Sequence, residues 1–204
     1  MDEDSFNNFL KVLEFYKLKQ IPRNSTNAYH DEKDDVDILR RETASEHVQC
    51  CNKLANYFIF TEREFYSLDR LRVHDLLDHH DDVEIVTRDI GIANREKRIQ
   101  KEKLELEGRL VFAQELPDAL SQFYLDCDAE FRAKATEEAK FANAIDKMDA
   151  LVHELQYPQD WGCKGFDEKN VRSWFQPAFE YSPTFMRYFE ALVIHLDTKG
   201  YFNI

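Results

Sequence analysis

Ala44-Ser45-Glu46-His47-Val48-Gln49-Cys50-Cys51-Asn52-Lys53-Leu54-Ala55-Asn56-Tyr57-Phe58 is the stretch that decides the fold. Its apolar and small residues, Ala44, Val48, Cys51, Leu54, Ala55 and Phe58, recur at intervals of three and four. That is the spacing of one buried face on a helix. His47 falls on the same face. A buried imidazole left without a partner costs about 1–3 kcal/mol, so His47 must find a hydrogen-bond acceptor or a metal ion. A satisfied core histidine is the plain alternative.

The same periodicity extends outward in both directions. Phe6, Phe9, Leu10, Leu13 and Tyr16 predict an amphipathic helix over Phe6–Lys19, packed by that stripe. Past Ile21-Pro22-Arg23, the polar stretch through Asp37, with its acidic run from Asp31 to Asp35, has no apolar period and reads as a loop. A helix is predicted from Thr61, with Glu64 completing a capping box, carrying Phe65, Leu68, Leu71, His74 and Asp75. Asp78-His79-His80-Asp81-Asp82 follows and reads as a solvated helix end or loop by its charge density. Further helices are predicted over about Asn94–Leu116, Pro117–Phe131, Ala135–Gln156 and Asp167–Phe175. The last helix has Ser182 as its N-cap, Pro183 at its first position and Gly200 as its stop. With only 5 Gly and 5 Pro against 43% hydrophobic residues, tight turns are scarce and strands should not dominate. The expected architecture is all-α: a single compact helical domain over residues 1–204, with its core at about 5–156 and a helical extension at about 165–200.

Charge narrows the function. The 40 acidic residues outnumber the 27 basic ones, and a net charge of −13 opposes binding to polynucleotides or anionic membranes. A small anionic substrate stays compatible if basic groups gather locally. There is no run long and apolar enough for a membrane span, and Met1-Asp2-Glu3-Asp4 lacks the charge of a secretory signal, so a cytoplasmic protein is expected. Cys50, Cys51, Cys127 and Cys163 have no zinc-knuckle spacing and read as reduced thiols.

Chemistry is suggested by the adjacent pair His74-Asp75, with His47 upstream and Asp146 downstream, each in a helical stretch. Two imidazoles and two carboxylates could hold one divalent ion, Mn, Fe, Co, Ni, Zn or Mg, with positions left open for water and substrate. Such an ion is a hydrolytic device. A His-Asp dipeptide on its own arises readily by chance.

Five segments in order carry a resemblance: Lys17-Leu18-Lys19-Gln20-Ile21-Pro22-Arg23, Arg41-Glu42-Thr43-Ala44-Ser45-Glu46-His47, Val73-His74-Asp75, Val83-Glu84-Ile85-Val86-Thr87-Arg88-Asp89, and Glu138-Ala139-Lys140-Phe141-Ala142-Asn143-Ala144-Ile145-Asp146. Together they resemble the HD-domain phosphohydrolases, and among them the bacterial 5'-deoxynucleotidases and their eukaryotic relatives. The resemblance implies an HD-type helical bundle in which His47, His74, Asp75 and Asp146 ligate one metal. It further implies that Glu84 and Asp89 activate water and move protons, and that Arg23 holds the substrate phosphate. The implied substrate is a (deoxy)nucleoside 5'-monophosphate, and the implied assembly is a homodimer. The family places its glutamate four residues after the histidine of the pair, whereas Glu84 is ten after His74. A six-residue insertion around Asp78–Asp82 is therefore expected, with Asp78 as a rival to Glu84. Asn24 stands where the bacterial enzymes carry tryptophan, which weakens a strict deoxyribose preference. The competing readings are cleavage of a diester or pyrophosphate, and an inactive nucleotide-binding protein whose site the insertion has disabled.

Overall fold

The computed structural model describes residues 3–89, 95–158, 160–161 and 166–203; Asn94 and Cys163 lie outside the described residues. The helices are α1 (Glu3–Leu10), α2 (Leu13–Tyr16), α3 (Ala44–Thr61), α4 (Arg70–His79), α5 (Glu84–Thr87), α6 (Arg95–Glu115), α7 (Asp118–Ala133), α8 (Glu137–His153), α9 (Glu168–Phe175) and α10 (Pro183–Thr198). The fold is an all-α bundle with one small two-stranded sheet.

Helix α3 starts where its chemistry says it should. The Thr43 hydroxyl accepts from Glu46 N–H, and the Glu46 carboxylate accepts from Thr43 N–H at 2.9 Å, so two helix-end donors are satisfied reciprocally. Its stripe of Ala44, Val48, Cys51, Ala55 and Phe58 is buried, and His47 is wholly buried with it. Helix α4 packs against α3, α7 and α8. The main core runs from Cys51 on α3 to Leu196 on α10, so Phe185, Phe189 and Val193 of the last helix sit in the same apolar cluster as Phe58 and Phe141. Ser182 caps α10 by accepting from Phe185 N–H at 3.1 Å, and Gly200 ends that segment at φ +76.

Three expectations are corrected. The stretch read as a loop up to Asp37 is a hairpin: β1 (Pro22–Asp31) pairs antiparallel with β2 (Val36–Thr43), and the acidic run forms its turn, with Asp35 at φ +52. No alternation announces it because polar anchors dock it. Thr26 donates from its backbone and its hydroxyl to Asp160 at 3.0 and 2.9 Å, and the Thr26 carbonyl faces His153 Nε2 at 2.6 Å.

The N-terminal helix is broken at Lys11–Val12, and Phe6, Phe9, Leu10, Leu13 and Tyr16 face outward rather than into the core. Phe15 instead makes the contact, edge-on to Phe112 at 5.7 Å. The helix predicted from Thr61 begins nine residues later. Helix α3 runs through Thr61, whose hydroxyl donates to the Tyr57 carbonyl, and Asp69 caps α4 by accepting from Leu71 and Arg72 N–H. Glu64 accepts from Thr184 N–H, capping no helix of its own.

Candidate metal centre

Helix α4 buries Val73, Leu76 and Leu77, and one turn on, His80 continues the same i, i+3, i+4, i+7 stripe into the interior. There it meets His47 of α3 and Asp146 of α8. The His80 Nε2 lies 3.4 Å from His47 Nε2 and 3.8 Å from Asp146 Oδ1, and His47 Nε2 lies 3.2 Å from Asp146 Oδ1. Asp81 completes the group, with Oδ1 3.4 Å from His80 Nε2 and Oδ2 3.8 Å from His47 Nε2. Ligand atoms bound at about 2.1 Å to one ion stand roughly 3–4 Å from one another, which matches these separations.

The far nitrogens are fixed as a metal site requires. His47 Nδ1 faces Asp149 Oδ2 at 2.7 Å, and His80 Nδ1 donates to the Leu77 carbonyl at 2.7 Å. With Nδ1 occupied as donor, each ring offers Nε2 as the ligand atom. Burial and the charge of Arg23 act to lower the His47 pKa, but Cys51 and the acceptor carboxylates of Asp146 and Asp149 hold it well above the usual value. Burial opposes ionisation of Asp146, yet Lys147, His47 and His80 keep its carboxyl well below the usual range. A site that draws positive charge so strongly, with borderline nitrogen and hard oxygen donors, fits a divalent ion. Cys51 borders His47 and Asp149 on the other side. Burial pushes its thiol up to about 12.

His74 and Asp75 do not join this group. The His74 ring lies between Asn52 Oδ1 and Asn56 Oδ1, the latter 3.1 Å from Nε2, and Asp75 faces Arg72 at 3.9 Å. Six residues separate His74 from His80, which is 240° around a helix, so the two cannot share a face. His74 instead accompanies Leu71, which is 71% exposed. Asp78 also lies on that side, accepting from Asn52 Nδ2 at 2.6 Å. The pair at the cluster is His80-Asp81, and Glu84 stands four residues after His80. No insertion is needed to place it.

The remaining candidates gather around the four. Arg23 sits where three residues of β1, Arg23 to Ser25, lie opposite the single residue Glu42 of β2 between the pairs Pro22–Thr43 and Thr26–Arg41, an irregularity in the register of the hairpin. Its Nη1 donates to Asp81 Oδ2 at 2.7 Å, while Glu42 lies 3.5 Å from its Nε. Burial alone would weaken the Arg23 charge, but Asp81, Glu84, Asp146 and Asp89 raise its pKa. Asp89 accepts from Asn24 N–H at 3.0 Å, beside Arg23. Glu84 is buried at the start of α5. Between them Arg88 takes φ +66, a strained turn for a residue with a side chain, and it is this turn that leads the chain to Asp89.

Residues 15–176 match the family described as HD domain. The chain belongs to the HD-domain family. No curated protein is similar enough in sequence to count as a match. Among solved structures, this HD-domain protein is similar to a predicted metal-dependent phosphohydrolase from Magnetospirillum magnetotacticum MS-1, with 27% identity, a TM-score of 0.77, and coverage of 95% of this chain and 92% of that one. The His and Asp groups of this HD-domain protein are positioned to bind a metal ion. Among the described residues no helix is long and apolar enough to cross a membrane.

Proposed function

We propose that the protein is a metal-dependent phosphohydrolase that cleaves a small phosphomonoester, a (deoxy)nucleoside 5'-monophosphate, to nucleoside and phosphate. His47, His80, Asp81 and Asp146 are its metal ligands, Arg23 its phosphate anchor, and Glu84 and Asp89 its proton-handling acids. The observation that carries this reading is the convergence of the His47 and His80 Nε2 atoms and an Asp146 oxygen on one point, with Asp81 beside both rings and the Arg23 guanidinium 2.7 Å from Asp81. A divalent ion held there supplies Lewis acidity, making water nucleophilic at neutral pH and screening phosphate charge. Arg23, forked and always charged, orients the phosphate oxygens in a protein that is otherwise strongly acidic. Asp89, one oxygen tied to Asn24 N–H, and buried Glu84 flank that position and take or return the proton. The nucleotide part of the reading rests on the resemblance of the Arg23, Glu84 and Asp89 segments to the deoxynucleotidases.

A panel of nucleoside monophosphates, simple phosphomonoesters, diesters and pyrophosphates, assayed with added Mn, Co or Mg, tests it. Metal-dependent release of phosphate from monoesters, abolished by chelation, is the expected result. Turnover confined to diesters or pyrophosphates overturns the monoesterase reading, and turnover of monoesters without preference for nucleosides overturns the nucleotide part alone.

A further inference from the structure

The residue next to the metal-ligating aspartate of α8 has no part in the reading above. Lys147 places its Nζ 2.7 Å from Asp146 Oδ2, the carboxylate oxygen other than the one that faces His47, and its side chain is 31% exposed. Arg23 stands in the same relation to Asp81, with Nη1 2.7 Å from Oδ2. Two cations thus flank one cluster, each on a carboxylate that has a second duty toward the metal position. A divalent ion held by Asp81 and Asp146 would take up the negative charge that these cations neutralise. Both would then be left with uncompensated positive charge beside the cluster, Lys147 partly exposed to water, in a chain of net charge −13. The acidic surroundings make a lone cation a weak anion trap, whereas two of them with a divalent ion match a doubly charged terminal phosphate.

We propose that Lys147 is a second substrate-binding cation, contacting a non-bridging oxygen of a phosphomonoester dianion opposite Arg23. This deepens the phosphohydrolase reading and rests on it. The contact selects for a terminal phosphate, since a diester carries one charge and has a carbon substituent on an oxygen that Lys147 would otherwise meet. Lysine suits the position because its compact ammonium, on a flexible stem, can exchange the Asp146 oxygen for a phosphate oxygen without moving α8.

The test is calorimetric titration of inorganic phosphate into Mn-loaded protein, unmodified and as Lys147→Met, Lys147→Arg and Arg23→Met, with Mn affinity measured on each. Loss of one charge-assisted hydrogen bond should weaken phosphate binding by roughly 10- to 100-fold in Lys147→Met, with Lys147→Arg recovering most of it. Mn binding by Lys147→Met should be as tight as in the unmodified protein or tighter, because a competitor for Asp146 is gone. A phosphate affinity unchanged in Lys147→Met but weakened in Arg23→Met overturns the role of Lys147 and leaves the phosphohydrolase reading standing. Weakened Mn binding in Lys147→Met, with phosphate affinity unchanged at saturating Mn, shows a purely structural lysine and also overturns it. Unmodified, Mn-loaded protein that binds no phosphate removes the reading on which the inference rests.

Discussion

At the scale of single residues, the site turns on which of two neighbouring His-Asp pairs faces inward. Both occur within eight positions, and composition does not separate them. Position on the helix does: Val73, Leu76, Leu77 and His80 form one buried stripe, whereas His74 shares the outer side of α4 with Leu71. His80→Ala should therefore remove bound metal and metal-dependent turnover, while His74→Ala keeps near-normal metal content in elemental analysis of the purified proteins. Metal lost in His74→Ala and retained in His80→Ala would sink the assignment. The signal for His80 was present in the sequence twice, in that stripe and in the four-residue step to Glu84. It was masked by Asp78-His79-His80-Asp81-Asp82, whose charge density resembles a solvated end. His80 and Asp82 are in fact buried, Asp82 by pairing with His79 Nδ1 at 2.6 Å. Charge runs predict solvation only when their members lack partners, and partners from distant helices do not appear in a local reading. His47, Asp146, Arg23, Glu84 and Asp89 were each singled out from the sequence, and the fold brings them to one place.

At the scale of elements, the capped helices were legible and the hairpin was not. Ser182-Pro183 and the stripe of α3 are local signals, satisfied by residues within a turn or two. The hairpin is held by Asp160, His153 and Tyr157, more than a hundred residues away in sequence, and has no apolar face to betray it. It matters because its open end, where Pro22 pairs with Thr43, carries both Arg23 and the cap of α3. Arg40 of β2 donates to the Glu46 carboxylate from Nη1 at 2.8 Å, tying the hairpin to the capping box. The hydrogen bonds from Arg40, the largest influence, and those from Thr43 lower the Glu46 pKa from 4.5 to about 2. A carboxyl depressed by folding contributes stability that is fully present above its unfolded pKa and is lost as pH falls through the folded one. Glu46→Ala should thus cost about 1 kcal/mol at pH 7, on the scale of a lost cap, since the half-open position screens the ion pair. The difference between the variant and the unmodified protein in urea denaturation should shrink as pH falls from about 4.5 toward 2. A difference that does not change across that window would mean that the carboxylate charge contributes nothing.

At the scale of the whole molecule, the question is whether α9 and α10 are an appendage on the helices that build the site or part of what holds them. The sequence reads residues 165–200 as a helical extension within a single domain. The Phe185 ring lies 4.9 Å from Phe58, 5.0 Å from Phe65 and 5.5 Å from Phe141, so α10 packs on both the helix that carries His47 and the helix that carries Asp146. Truncating a wholly buried phenylalanine to alanine costs about 3–5 kcal/mol, a large share of the roughly 5–15 kcal/mol that stabilises a typical domain. Phe185→Ala should lower the urea midpoint accordingly and do so in one transition, with tertiary and helical signals lost together. Phe9→Ala, at a position 59% exposed on α1, should shift stability by no more than about 0.5 kcal/mol. Two separated transitions in Phe185→Ala, the first removing only a fraction of the helical signal, would show that the C-terminal helices unfold independently. In that case the site would be supported by α3, α4 and α8 alone. A single transition, with metal binding lost at the same urea concentration, makes the last helix part of the scaffold that holds His47 and Asp146 in register.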